Sequence, residues 1–413
     1  MMRNLIVTFV ACCIFASCTT KDDPKIEIPV DAKSIVLSAN SAKRVSQDND
    51  FAFDLFKNTL TTSKETNVFI SPLSVSIALG MAWNGANGQT RTEMEAALKM
   101  SGMTVSDINE YYKVMQSTLP SIDPTTKLSI ANSLWYRTGF PVKTSFLKVN
   151  TDYFNAYVKE MDFSKAWAVD TINNWCSAKT NKMIPSVLTE IPNEIVMYLV
   201  NAVYFKGIWR KKFDKANTKE ANFTNELGNT MKVNMMYQKD TFAYKSDAYA
   251  QYLDMPYGNK AFSMTVILPV DGKTTSDVLT SLTMEKWNSI ISYMSTSEVE
   301  VYLPRFSNKN NLSLIPPLQN MGMNLAFSDN ADFTNIADDN LLISSIKHVT
   351  NIEVTEQGTE AAAVTIIGVG VTSMPIKPPT PVFNVNKPFL YVIREKSTGV
   401  ILFIGKMGKV DKF

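Results

Sequence analysis

Apolar and polar positions along this chain switch between helical and strand spacing. Asp50, Phe51, Leu55 and Phe56 predict a first amphipathic helix. Ser71 followed by Pro72 predicts a helix start, with serine as the cap and proline at the first helical position, where its missing N–H costs nothing. Residues 73–83 are apolar all round with small residues interspersed, which predicts a buried helix. The runs 128–136, 195–205, 262–268 and 299–303 predict strands, and 341–354 reads as one long strand. Residues 392–393 and 400–404 flank Glu395-Lys396-Ser397-Thr398-Gly399, a hairpin turn. No internal repeat and no long low-complexity linker is present.

One segment suits two states. Residues 358–374 contain no proline, lysine or arginine, and a tail with Pro375, Pro378, Pro379 and Pro381 follows. Taken alternately, Thr359, Ala361, Ala363, Thr365, Ile367 and Val369 fall on one face, a period of two that suits a strand with a buried side. The glycines and prolines at its ends read equally as an exposed loop. A segment able to be loop or central strand is a candidate conformational switch.

The residues around it carry a specific resemblance. Glu-Gln-Gly-Thr-Glu-Ala-Ala-Ala at 356–363, followed by Asn-Lys-Pro-Phe at 386–389, resembles the hinge and C-terminal signature of the serpins. Asn67-Val68-Phe69-Ile70-Ser71-Pro72-Leu73-Ser74, Asn201-Ala202-Val203-Tyr204-Phe205-Lys206-Gly207-Ile208-Trp209 and Leu303-Pro304-Arg305-Phe306 resemble that family's strand and sheet motifs. The resemblance runs from about Asp48 to Val410. It implies a mixed α+β serpin fold of three sheets and eight or nine helices, with an exposed reactive loop at about 357–382. It also implies a protease inhibitor and not an enzyme, a monomer without cofactor, whose partner is a target protease. In that family loop insertion is a known case of strand addition to a sheet.

Residue roles follow from the resemblance. Glu356, Gly358, Thr359, Glu360, Ala361, Ala362 and Ala363 would form the hinge. Ser71, Ser74, Asn201 and His348 would form a polar cluster, or shutter, beneath the point where the main sheet opens. Trp209 and Arg305 would lie in the breach where the loop first enters, with Glu356 paired to Arg305. Insertion needs Thr359, Ala361 and Ala363 to slip between strands, so bulky or charged groups there would be buried at large cost or jam entry. Glu360 points the other way and can stay charged. This alternation favours inhibition over the alternative, a non-inhibitory serpin-fold surface binding protein.

The family's spacing from Glu356 places the scissile bond at Thr372-Ser373, and proline cannot sit in a central strand, so the insertable part ends before Pro375. Val371-Thr372 and Ser373-Met374 are the neighbouring registers. Small, uncharged Thr372 suits elastase-like or subtilisin-like serine proteases, and apolar Val371 suits papain-like cysteine proteases.

The N-terminus reads separately. Arg3 precedes an apolar run from Leu5 to Ala16, too short to span a bilayer comfortably and suited to a signal peptide. Phe15-Ala16-Ser17-Cys18 resembles a bacterial lipobox, which implies cleavage after residue 17 and lipidation of Cys18; a plain secretory signal is the alternative. Thr19-Thr20-Lys21-Asp22-Asp23 resembles a surface-export signal of some Gram-negative lipoproteins. The expected organisation is a signal peptide at 1–17, a polar tether at 18–47 and one domain at 48–413, lipid-anchored in the bacterial outer membrane, with surface exposure or release left open. Cys12 and Cys13 would leave with the signal, so Cys176 would stand alone without a disulfide.

Composition narrows the chemistry. The 413 residues are 45% hydrophobic and 19% charged with net charge +2, which gives ample core and no sign of a nucleic-acid partner. Arg210-Lys211-Lys212 is the densest basic run near a motif and reads as a solvated face, with a polyanion site as the alternative. The one histidine, His348, rules out HExxH and zinc-finger sites, and no metal site is expected. No G-x-S-x-G elbow or phosphate-binding loop occurs. An envelope hydrolase would need His348 exposed beside a nucleophile, yet it lies within Ile346-Lys347-His348-Val349, as a core histidine would.

Overall fold

The computed structural model describes residues 30–359 and 379–412. The helices are α1 Ala39–Thr62, α2 Pro72–Trp83, α3 Gly88–Ala97, α4 Val105–Thr118, α5 Thr144–Phe154, α6 Trp167–Lys179, α7 Thr275–Ser281, α8 Met284–Ser292 and α9 Ile315–Asn320. The first eight strands are β1 Val68–Ile70, β2 Lys127–Arg137, β3 Tyr157–Met161, β4 Met197–Lys206, β5 Lys219–Thr224, β6 Thr230–Ser246, β7 Ala250–Pro256 and β8 Phe262–Pro269. They are followed by β9 Ser295–Pro304, β10 Phe306–Ser313, β11 Lys347–Thr355, β12 Gly358–Thr359, β13 Val382–Asn384, β14 Phe389–Glu395 and β15 Ile401–Met407.

Three sheets organise these strands. A nine-stranded sheet runs β1-β15-β14-β8-β7-β6-β9-β13, with β5 on β6. Two three-stranded sheets, β3-β2-β4 and β10-β11-β12, complete the set. Strand β8 is buried along its whole length, as a strand covered on both faces must be. In β10 buried and exposed residues alternate strictly, so one face meets the core and the other meets water. A main apolar core extends from Val45 to Val410, and a smaller cluster of Trp135, Met161, Phe163, Ala168 and Ile172 lies where α6 covers β2.

Helix α2 shows how local chemistry seats the core. Ser71 caps it by accepting the Ser74 N–H, Pro72 opens it, and nearly every residue is buried because no side is polar. The turn at 395–399 closes a hairpin between β14 and β15, with the Glu395 carboxylate accepting the N–H groups of Ser397 and Thr398.

Two expectations need correction. The strand read at 341–354 begins only at Lys347. Leu341, Ile343 and Ile346 do pack on the core, but Ser313, the last residue of β10, pairs with Lys347 and one further bond follows, from Leu314 N–H to the Ile346 carbonyl, so residues 341–345 have no β10 residue opposite them. The tether read at 18–47 is shorter than its polarity suggests. The Asp31 carboxylate binds Arg210 and Lys260, Ala32 donates to the Asn259 carbonyl, and α1 starts at Ala39. Polar Arg44, read as tether, is fully buried.

Its burial is compensated. Arg44 Nη2 lies 2.6 Å from Asp48 Oδ1, whose carboxylate also accepts hydroxyl bonds from Ser76 and Tyr111. This cluster joins α1 to α2 and α4. Asp48→Ala would leave the guanidinium uncompensated, and the expected loss is about 3–5 kcal/mol, read from urea midpoints. Adding Arg44→Met to that chain should recover most of it; a single variant as stable as the parent would show the pair carries no such weight.

Candidate functional site

The site lies where β11 reverses. After Thr355 the chain turns through Glu356 and Gln357 and returns as β12, antiparallel to β11, with Val354 opposite Thr359 and Thr355 opposite Gly358. Gly358 has φ of 137°, and a Cβ there would sit 2.2 Å from the Gly207 carbonyl oxygen, so only glycine fits. On its other side β12 meets the chain just beyond β4: Gly358 bridges Ile208, and Thr359 N–H donates to Gly207 O at 2.8 Å. Thr359 is buried. These two residues therefore sit between the tops of β4 and β11.

Below them β4 and β11 do not pair. Strand β4 has β2 along one edge, and β11 has β10 along one edge and β12 only at its top. A cavity of about 1200 Å³ separates the two free edges, lined by both strands, by Ser71, Ser74 and Val75 of the α2 end and by Cys176 of α6. Among the described residues the two facing rows of N–H and C=O groups have no ladder partner, the condition under which an edge can take up a further strand.

An ion pair closes the top. Arg305 Nη2 and Nε donate to Glu356 Oε1 at 2.6 and 2.8 Å, Nε also reaches Oε2 at 3.0 Å, and the Thr218 hydroxyl donates to Oε1 at 2.6 Å. Glu356 is 1% exposed and Arg305 27%. Burial alone would raise the Glu356 carboxyl; the bonds from Arg305 and Thr218 outweigh it and hold it below the ordinary carboxylate value. Trp209 is buried alongside, its N–H donating to Gln357 O at 2.9 Å and its Nε1–H to Thr355 O at 3.0 Å. Trp209 and Arg305 thus hold the turn from opposite sides.

Ser71, Ser74, Asn201 and His348 come together further down. Ser71 N–H donates to His348 Nε2 at 2.9 Å, and Ser71 Oγ donates to Leu402 O at 2.8 Å. Ser74 Oγ donates to Asn201 Oδ1, and Asn201 Nδ2 donates to Asn132 Oδ1 at 2.5 Å. The α2 start therefore fastens β11 through His348 and β4 through Asn201, one on each side of the cavity. Asn132 is a member that sequence reading missed. Its signal was a buried amide inside an apolar strand, opposite Asn201 in the β2–β4 register. His348 is neutral, burial pushing it down to about 4, and its acceptor nitrogen is taken by a backbone N–H, so it is not placed as a base. The Cys176 thiol is pushed up to about 12 by burial and is unreactive in this state.

The basic run is engaged within the fold: Arg210 binds Asp31 and the Gly258 carbonyl, and Lys211 binds Asp240. No cluster suited to a metal ion and no helix long and apolar enough to cross a membrane occurs among the described residues. Glu360, Ala361, Ala362, Ala363, the Thr372-Ser373 bond and Cys18 lie outside the described residues.

The family model of the serpins (serine protease inhibitors) matches residues 46–410. The chain belongs to the serpin family. It is 34% identical over 371 residues to Iripin-1 of Ixodes ricinus, covering 88% of this chain and 94% of that protein. Among solved structures it is similar to the thermophilic serpin tengpin in its native state, with TM-score 0.82 and 33% identity over 92% of this chain and 98% of that one. It is also similar to human thyroxine-binding globulin, with TM-score 0.80 and 27% identity over 90% of this chain and 100% of that one. The fold is the mixed α+β serpin fold, and the family is one of protease inhibitors, not of enzymes, although a similar structure is that of a globulin with thyroxine bound.

The buried imidazole links stability to pH. Its folded value of about 4 lies below the unfolded 6.5, so unfolding takes up a proton. The His348 contribution is complete above about 6.5 and is lost as pH falls toward 4, by an amount of order 3 kcal/mol. Unfolding midpoints of the parent and His348→Gln, compared from pH 7 to 4, should converge as pH falls; parallel curves would contradict it.

Proposed function

We propose that this serpin is a suicide substrate that traps its target protease as a covalent acyl complex through insertion of the segment after Thr359 between β4 and β11. The observation that carries the reading is the direction of β12. It already runs antiparallel to β11 at the head of the cavity, so each following residue would extend a strand between two free edges. Residues 360–369 would supply that strand, with Ala361, Ala363, Thr365, Ile367 and Val369 on the face of Thr359.

In the proposed sequence the protease's serine oxygen or cysteine sulfur attacks the Thr372 carbonyl carbon. The bond between Thr372 and Ser373 breaks, and the Ser373 amine leaves with a proton delivered by the protease's own acid. Thr372 is then an ester or thioester on the protease. Thr372 and Ser373 are bait and not catalysts. Insertion carries the acyl group away with the strand and distorts the protease site, and a misplacement of about 1 Å can cost roughly 100-fold in rate, so deacylation stalls. In the same scheme Glu356, Gly358, Thr359, Glu360, Ala361, Ala362 and Ala363 act as hinge. Ser71, Ser74, Asn201 and His348 hold the two edges at a set spacing, and Trp209 with Arg305 guards the entry. Val371 and Thr372 favour elastase-like, subtilisin-like or papain-like targets.

The thyroxine carrier among the similar structures keeps a non-inhibitory binding role as the second reading. Small alternating hinge residues support inhibition, because a carrier has no need of them. We also propose that Cys18 carries a lipid that holds the protein at a bacterial outer membrane. The chain from Cys18 to Asp31, where it meets the folded body, can span at most about 45 Å.

Incubation with an elastase-like, a subtilisin-like and a papain-like protease, followed by denaturing gels and intact mass spectrometry, tests the mechanism. The expected product is an SDS-stable complex and a C-terminal fragment beginning at Ser373. Thr359→Arg should be cleaved at the same bond yet form no complex; a complex with that variant would refute insertion.

A further inference from the structure

Thr359 is held from two directions, and the second hold belongs to no motif read from the sequence. Its backbone is fixed by the bond to Gly207 O, and its Oγ1 lies 2.9 Å from the hydroxyl of Tyr257. Tyr257 is fully buried just beyond β7, with its N–H on the Phe262 carbonyl and an antiparallel bridge to Trp209, so it ties the end of β7 to the segment that follows β4. The ring lies flat on Trp209, with centroids 4.4 Å apart and planes 9° from parallel, and meets Phe205 edge-on at 5.2 Å. A Cβ on Gly207 would fall 2.7 Å from the ring, so glycine at that position is what lets the ring reach the hinge. Among the described residues, Thr359 Oγ1 is the hydroxyl's one hydrogen-bond partner.

We infer that Tyr257 is a positioning residue that sets the register of the inserting strand through its hydroxyl bond to Thr359, and thereby sets how a cleaved loop divides between trapping and release. The inference rests on the insertion mechanism proposed above. Side chains of a strand alternate, so a slip of one residue would turn Glu360 toward the face that Thr359 now occupies and turn the alanines of that face away. The pinned backbone N–H does not exclude such a slip, because every residue except proline carries one. The side-chain bond does exclude it, because glutamate at 360 cannot offer the same short hydroxyl beneath the Trp209–Tyr257 stack. Insertion races deacylation, so a hinge that starts in register wins more often. The bond is present before cleavage and is kept as the strand extends, which makes Tyr257 a pivot and not a catch that must release.

Two measurements on the full chain test this. Hydrogen exchange of the intact protein reads the seating itself: Tyr257→Phe should speed exchange at Thr359 about fivefold while leaving the Ser71 amide unchanged. Titration against an elastase-like protease reads the consequence: Tyr257→Phe and Thr359→Val should each raise the stoichiometry of inhibition about fivefold, and the double variant should match either single one. Thr359→Ser, which keeps the hydroxyl, should stay near the parent. Unchanged exchange, an unchanged stoichiometry, or effects that multiply in the double variant would each overturn the inference. If the parent forms no covalent complex, the mechanism above fails and the partition role falls with it, while exchange still decides the seating. If the parent traps and Thr359→Arg does not, but Tyr257→Phe traps as the parent does, only the inference fails.

Discussion

The fold depends on two strand edges that face one another without a ladder. Among the described residues, strands β4 and β11 lie on either side of a cavity of about 1200 Å³, with backbone pairing between them limited to the two residues of β12 at the top. Backbone donors and acceptors along these edges have no ladder partner among the described residues, and a sheet normally removes that penalty by pairing or by cover. In the proposed mechanism the remedy is in the chain itself, since the segment that would complete both ladders begins at Thr359. On that proposal the arrangement holds free energy in reserve for as long as the strand is not supplied.

The contacts that bridge the two edges are polar and specific. Helix α2 points its capped start at the cavity, and one short segment of it reaches His348 on β11 and Asn201 on β4. At the top, Arg305 and Thr218 converge on Glu356, and Trp209 takes the carbonyls of the turn. Each bond joins parts that a purely apolar interface would let slide. Removing one partner leaves a buried polar group whose desolvation is no longer compensated, so the spacing is set more sharply than burial alone would set it.

Much of this was readable in the residues, for identifiable reasons. Helix α2 announces itself through Ser71-Pro72 and an apolar run with small residues, and β8 through an apolar run broken only by Ser263 and Thr265, because local preference and burial agree there. His348, flanked by apolar neighbours, was readable as a core residue. Local pattern fails where the outcome depends on a distant partner. Residues 341–346 carry Leu and Ile in a run continuous with β11, yet β10 ends too soon to pair with residues 341–345. Arg44 looks like part of a solvated tether until Asp48, Ser76, Tyr111 and Tyr112 are brought around it by three helices. Asn132 and Tyr257 act through residues far away in sequence, and only the register of β2 on β4 and the stack on Trp209 reveal them.

The central claim is that the intact protein is held short of its most stable arrangement. Calorimetry of the intact chain beside the same chain cleaved once between residues 370 and 374, with both fragments retained, tests it most directly. The account predicts that the cleaved form melts far above the intact one, because the freed segment completes the ladders of β4 and β11. Equal melting temperatures, or a cleaved form that melts lower, would contradict it.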